Sequence, residues 1–224
     1  MLRHKLQISE LQGNHMALAQ LATNKVNDKN ILQILVDVKR ENFVPRNLRG
    51  VAYIDDDIPI DSGRVLLAPL TFARLLELAE VTASCRVLII GGGNGYAAAV
   101  LTELAGHVVS IDSDSELIAQ SIAHAANLEL KDVDIQQVKN MADGYPLSAP
   151  YDVIFINGAI EYLPEDLSSQ LSIGGRLVAI RNIAKTLGKG ILVKRIDGQT
   201  NIREYFDAST IVLNGFKKTK QFVF

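Results

Sequence analysis

The stretch Arg86-Val87-Leu88-Ile89-Ile90-Gly91-Gly92-Gly93-Asn94-Gly95-Tyr96-Ala97-Ala98-Ala99-Val100-Leu101 decides the fold. An apolar run of strand length meets a glycine turn, and good helix formers follow. A strand–turn–helix of this kind brings backbone N–H groups and a helix start close to a ligand. His107-Val108-Val109-Ser110-Ile111-Asp112 then reads as a second strand ending in an acid. Asp112 lies 21 residues after Gly91, near the spacing of about 20 expected of a carboxylate that grips a ribose. The pair points to a nucleoside-bearing cofactor.

From residue 86 onward the pattern alternates. Ser113 and Glu116 suggest a capping box for a helix reaching about residue 126. Strands are expected at Val133–Val138, Tyr151–Asn157 and Arg176–Ile180, with a helix near 165–171. Such alternation implies a parallel sheet covered on both faces. Gly190–Ile196 and Thr200–Phe206 flank Asp197-Gly198, a hairpin signal that adds antiparallel strands at the end. Before residue 86, residues 1–50 read as helical. Ile31, Ile34, Leu35 and Val38 share one face, with Asn27 as the expected cap. Residues 51–69 read as loop, and a helix resumes at 72 with Phe72, Leu75, Leu76 and Ala79 inward. Residues 1–224 are therefore expected to form a single α/β domain. An extension over 1–80 precedes a doubly wound, mostly parallel Rossmann-like core over 81–224.

Composition narrows the function classes. The chain has 224 residues, 48 % of them hydrophobic, and a net charge of −2. No basic field argues for nucleic acid, and no run approaches the about 18 apolar residues of a membrane span. The single cysteine, Cys85, excludes an internal disulfide, and the four histidines lack metal-ligand spacing. A soluble cytoplasmic protein is expected, without metal, nucleic acid or membrane partner, as a monomer or weak dimer.

Two cofactors compete for the turn. The dinucleotide pattern G-x-G-x-x-G needs glycine at 96, which holds Tyr96. Gly91-x-Gly93-x-Gly95 has the shorter spacing used by S-adenosylmethionine enzymes. Asp112 would accept both ribose hydroxyls, and Asp143-Gly144, after the third strand, would reach the same rim, where Asp143 accepts from the adenine amino group. The ordinary alternatives are a solvated acid for Asp112 and an Asp-Gly turn for Asp143. Asn157, ending the fourth strand, would face cofactor or substrate, or cap the next turn. The expected cofactor-binding set is Gly91, Gly92, Gly93, Asn94, Gly95, Asp112, Ser113, Asp143, Gly144 and Asn157.

Over nearly its whole length the chain resembles the protein-L-isoaspartate O-methyltransferase family. Arg40-Glu41-Asn42-Phe43-Val44-Pro45 is similar to its RE-x-FVP segment. Ala52-Tyr53-Ile54-Asp55 with Ile58-Pro59-Ile60 is similar to its AY-x-D…LPI segment, and Gly91 to Tyr96 to its G-x-G-x-G-Y turn. Tyr151-Asp152-Val153-Ile154, Gly158-Ala159, Pro164, Leu167, Gln170-Leu171 and Gly174-Gly175-Arg176-Leu177-Val178 follow its next run in order. The resemblance implies a SAM-methyltransferase fold. It also implies an O-methyltransferase that marks isoaspartyl residues of damaged proteins for repair, with S-adenosylhomocysteine as its product. It places Ile58, Pro59, Ile60 and Asp61 along the channel of a peptide or protein carboxylate substrate.

Two segments depart from the family pattern, one of them at Leu67 and at Ala68, which stands where the family has a glutamine. Gly63-Arg64-Val65-Leu66-Leu67-Ala68-Pro69 stands where the family reads approximately G-x-T-I-S-Q-P, so Leu67 occupies the place of its active-site serine. Ile89 stands where the family carries an acid. A carboxylate acceptor has a reference pKa near ~4 and is already ionised at neutral pH. Attack on a sulfonium methyl group therefore needs no general base, and the serine would orient rather than deprotonate. Losing it costs on the order of 1–3 kcal/mol of alignment. Weakened isoaspartyl transfer, a different and less polar acceptor, and a non-catalytic SAM-binding module all remain open. The end, Gln221-Phe222-Val223-Phe224, is expected to continue as an apolar strand.

Overall fold

The computed structural model describes residues 10–184, 187–196 and 198–218. The expected C-terminal strand at 221–224, the N-terminal residues 1–9 and Asp197 of the expected hairpin turn lie outside them. Helix α1 (residues 10–15) runs on as a π-helical turn, Met16–Leu21, and a 3-10 turn, Ala22–Asn24. Lys25 then adopts a left-handed conformation and ends it. Helix α2 (Lys29–Asp37) is capped by Asp28, whose carboxylate accepts from the N–H groups of Asn30 and Ile31. The cap is thus one residue beyond the expected Asn27, because the acid reaches both first-turn donors. The loop expected over 51–69 contains a small antiparallel pair, β1 (Ile58–Pro59) with β2 (Val65–Leu66). Helix α3 (Pro69–Ala79) starts three residues before the expected 72, with Pro69 in its first turn, where the missing N–H costs nothing.

The core follows as β3 (Arg86–Ile90), α4 (Tyr96–Thr102), β4 (His107–Asp112), α5 (Ser115–Asn127), β5 (Val133–Gln137), β6 (Tyr151–Ile160), α6 (Glu165–Ser169), β7 (Leu171–Ala184), β8 (Leu187–Ile196) and β9 (Gln199–Asp207). Helix α5 is capped by Asp114, which accepts from Glu116 and Leu117 N–H. Ser113 is therefore not the cap, a correction to the capping-box reading. The seven strands are ordered β5-β4-β3-β6-β7-β8-β9. The first five run parallel and the last two join antiparallel. This is the doubly wound, mostly parallel sheet with antiparallel C-terminal strands that the sequence implied. The topological switch lies at β3, between β4 and β6, where such sheets bind ligands.

Side chains alternate faces along each strand. Val87, Ile89, Val153, Phe155, Val178 and Ile180 join a cluster with Met16, Leu35, Phe43, Leu67 and Phe72. Leu88, Ile90, Ile111, Ile154 and Ile156 join a second cluster with Leu167, Leu213 and Phe216. Residues from the extension thus share one continuous core with the sheet. Among the described residues no helix is long and apolar enough to cross a membrane.

Candidate functional site

The glycine turn leaves β3 through backbone that L side chains avoid: Gly91, Gly93 and Gly95 have φ of 77°, 58° and 98°. Gly91 and Gly92 donate to the Ile111 carbonyl, each at 3.0 Å, which pins the turn to β4. Asp112, at the end of β4, is 1 % exposed. Its Oδ1 accepts from Ser113 N–H (2.8 Å) and Asp114 N–H (3.2 Å). Its Oδ2 accepts from Gly93 N–H (2.9 Å) and from Arg64 Nη1 (2.9 Å). Strand end and turn are thereby locked together.

The turn is covered by the chain itself, which corrects the picture of bare backbone awaiting a ligand. A Cβ on Gly91 would lie 2.8 Å from Arg64 Nη2 and 2.8 Å from a methyl of Leu213. Ile60 lies over Gly93, and Ser121 is against Gly95. Every residue from 91 to 95 is buried. The Leu213 segment arrives after β9 and pairs with the end of β6: Ala159 N–H donates to Ile211 O and Leu213 N–H to Ala159 O, both at 2.9 Å.

Asn157 sits in an irregular part of β6. Between Phe155↔Val178 and Ala159↔Ile180 the pairing with β7 shifts register. The bulge re-aims the strand, and Asn157 Nδ2 donates to Gly91 O at 3.1 Å. The other expected residues take different places. Asn94 binds the Phe43 carbonyl and accepts on its own carbonyl side from the His124 ring at 2.8 Å. It therefore ties the turn to the segment ahead of it. Asp143 is exposed and accepts from Asn140 at 2.7 Å. Gly144 (φ 65°) packs against Gln170 and Leu167.

Leu67 is 1 % exposed and belongs to the apolar cluster that also holds Ile89. The serine position and the acid position of the family pattern are thus both inside one apolar body. Ile58 likewise belongs to this core cluster. Pro59 is exposed, Ile60 half-buried, and Asp61 accepts from Gln120 at 2.5 Å. Beside this arm lies a cavity of about 900 Å³ at the carboxyl rim. Asp57, Arg64, Glu161, Asn182, Thr210 and Lys217 are among its lining residues. Burial pushes the Asp57 carboxyl above its ordinary range, opposed by hydrogen bonds from the Thr210 hydroxyl and Ala68 N–H. Arg64, Asp57 and Leu213 were not expected at the site. Arg64 occupies a variable position of the motif, and a charge in a loop normally signals solvent. Among the described residues no three His, Cys, Asp or Glu side chains converge on a metal-sized space.

The donor set suits a nucleoside thioether or sulfonium: an acid for a ribose diol and a close-approach glycine turn. The atoms nearest a Cβ on Gly91 are two side-chain ends, of Arg64 and Leu213, which rotate more easily than backbone moves. The residues fit S-adenosylmethionine once these ends turn aside.

Comparison with known proteins agrees. The family model for protein-L-isoaspartate(D-aspartate) O-methyltransferase matches residues 12–213. Protein-L-isoaspartate O-methyltransferase 1 of Rhodopseudomonas palustris (strain HaA2) is 37 % identical over 167 residues, 75 % of this chain and 68 % of that protein. Protein-L-isoaspartate O-methyltransferase 2 of Pelobacter propionicus is 34 % identical over 190 residues, 85 % of this chain and 84 % of that protein. A solved protein-L-isoaspartate O-methyltransferase superposes with a TM-score of 0.77 at 24 % identity, over 91 % of this chain and 67 % of that one. A Plasmodium falciparum protein described as the same enzyme, solved with S-adenosyl-L-homocysteine, superposes with a TM-score of 0.73 at 18 % identity, over 89 % of this chain and 97 % of that one. These two structures speak to the fold, and the sequence matches speak to kinship. By its strand order, its strand-end acid and glycine turn, and a match spanning residues 12–213, this chain belongs to the protein-L-isoaspartate(D-aspartate) O-methyltransferase family.

Proposed function

We propose that this chain transfers a methyl group from S-adenosylmethionine to a carboxylate of a peptide or protein, in the manner of an isoaspartyl repair enzyme. The observation that carries the reading is the Asp112–Gly93 lock at the switch point, set within a family match over residues 12–213. Asp112 holds the ribose hydroxyls, and the Gly91–Gly95 turn receives the methionine portion. Asn157 fixes the carbonyl of Gly91, and so the shape of that turn. Asp143 and Gly144 lie toward the adenine. Bound S-adenosylmethionine supplies the electrophilic methyl group.

The acceptor carboxylate arrives ionised, so the chain has no proton to remove. Its contribution is alignment and exclusion of water, which can be worth several kcal/mol in effective concentration. The acceptor enters by the cavity at the rim, where Asn182, Ser209 and Thr210 offer polar contacts and Lys217 a positive charge. Leu67 has no hydroxyl to offer the acceptor, and its side chain is packed in the core.

The test is transfer of labelled methyl from S-adenosylmethionine to an isoaspartyl peptide and to its normal aspartyl counterpart. A base-labile methyl ester on the isoaspartyl peptide alone is expected, with the KM for S-adenosylmethionine raised in Asp112→Asn. The buried position of Leu67 favours one second reading, a cofactor-binding module. Tight binding of S-adenosylmethionine with no ester on either peptide would establish that reading instead.

A further inference from the structure

We propose that Arg64 is an internal competitor for the cofactor ribose. Its guanidinium holds the Asp112 carboxylate that the ribose hydroxyls require, and the cofactor enters by displacing it. The inference rests on the cofactor reading above and adds a residue that sets the affinity of that site.

A carboxylate offers about four acceptor positions. Among the described residues Asp112 has four partners: the N–H groups of Ser113, Asp114 and Gly93, and Arg64 Nη1. Three belong to main chain that shapes the end of β4 and the turn. Arg64 alone is a side chain that can leave without unfolding the strand end. The same guanidinium lies on Gly91, with Nη2 donating to Gly91 O at 3.0 Å. One residue therefore blocks both the ribose acid and the close-approach face of the turn.

The exchange conserves hydrogen bonds. When Arg64 leaves, a ribose hydroxyl takes the one position it held on Asp112 Oδ2. The Gly91 carbonyl keeps its second donor, Asn157 Nδ2 at 3.1 Å. The departing guanidinium has a destination, because Arg64 already lines the rim cavity together with the acidic residues Asp57 and Glu161. A buried charge stripped of its partner is strongly disfavoured, so this second set of acids matters. The affinity of a ligand for a site that is open only part of the time falls by the open fraction.

Calorimetric titration of the full chain with S-adenosylhomocysteine tests this, comparing the native protein with Arg64→Gln. The variant is expected to bind at least tenfold more tightly, with its native fold checked by circular dichroism. On the native chain, nitrogen-15 NMR should show Arg64 guanidinium N–H groups protected from solvent exchange. Saturating S-adenosylhomocysteine should abolish that protection. Equal affinity in the two proteins, weaker binding by the folded variant, or guanidinium protection that persists in the saturated native protein would each overturn the proposal. If Arg64→Gln does not fold, the NMR result on the native chain decides. Absence of binding to the folded native protein and variant removes the cofactor reading as well, whereas equal binding removes only the role of Arg64.

Discussion

The main-chain carbonyl of Leu67 accepts a hydrogen bond from Arg40 Nη2 at 2.8 Å, and both residues are buried. Arg40 also donates to Ala52 O at 2.9 Å and lies 5.1 Å from the centre of the Tyr96 ring. The residue at the family's serine position is thus fixed through its backbone while its side chain fills the core. Leu67→Ser should therefore destabilise the chain by about 3 kcal/mol, as buried leucine truncations do, without increasing methyl transfer. Urea unfolding at neutral pH checks it. A variant as stable as the native chain would mean that Leu67 does not pack as described.

Leu213 closes over Gly158 as well as Gly91. A Cβ on Gly158 would lie 2.6 Å from Leu213 Cδ2 and 2.8 Å from Cγ. Gly158→Ala should cost roughly 1–3 kcal/mol by overpacking, and Leu213→Ala about 2–5 kcal/mol by leaving a cavity. In the double variant the new methyl group enters the space left by leucine. The combined loss should fall below the sum of the two single losses, as expected of residues in contact. Simple additivity in a double-mutant unfolding cycle would contradict the contact.

The Asn94 side chain, a candidate cofactor contact, donates to the Phe43 carbonyl and so also serves the fold. Asn94→Ala leaves that buried carbonyl without this donor, a loss of about 1–3 kcal/mol. Thermal unfolding would register it as a lower Tm even with no cofactor added. An unchanged Tm in the cofactor-free chain, with weakened cofactor binding, would return Asn94 to the binding role.

Asp57 gives a pH dependence of definite sign. Its folded-state pKa is raised above the ordinary 3.8, with burial the largest cause. Between 3.8 and the raised value the folded chain binds more protons than the unfolded one. Stability contributed by this group therefore falls as pH rises through that window. Asp57→Asn should flatten that part of the stability profile. Thr210→Val removes a donor that favours the ionised form, and should carry the window to higher pH. Carboxyl-carbon NMR titration of Asp57 measures both, and a Thr210→Val titration that moved downward would contradict the assignment.

The sheet was legible because its determinants are local. Val87 to Ile90 and Tyr151 to Ile156 are apolar runs of strand length, and the glycines between β3 and α4 mark a turn that other residues avoid. Caps were misplaced by a residue, Asn27 for Asp28 and Ser113 for Asp114, since neighbouring polar residues suit a cap equally by type. Asp112 could be picked out by spacing from Gly91. Its partner Arg64 could not, because their contact spans 48 residues and no periodicity links a loop arginine to a strand-end acid. Leu213, 122 positions beyond Gly91, was equally hidden. Nothing in the sequence near the turn announces what will lie on it.

That distance fixes an order of assembly on the ribosome. Arg64, the glycine turn and Asp112 emerge in sequence, so one half of the cover can form with the nascent strands β3 and β4. The Leu213 half must wait for the remaining strands. At about 5–20 residues per second, on the order of ten seconds separate the synthesis of Gly91 from that of Leu213. Until residue 213 has been made, the cover over the turn cannot be complete, whatever has folded before it.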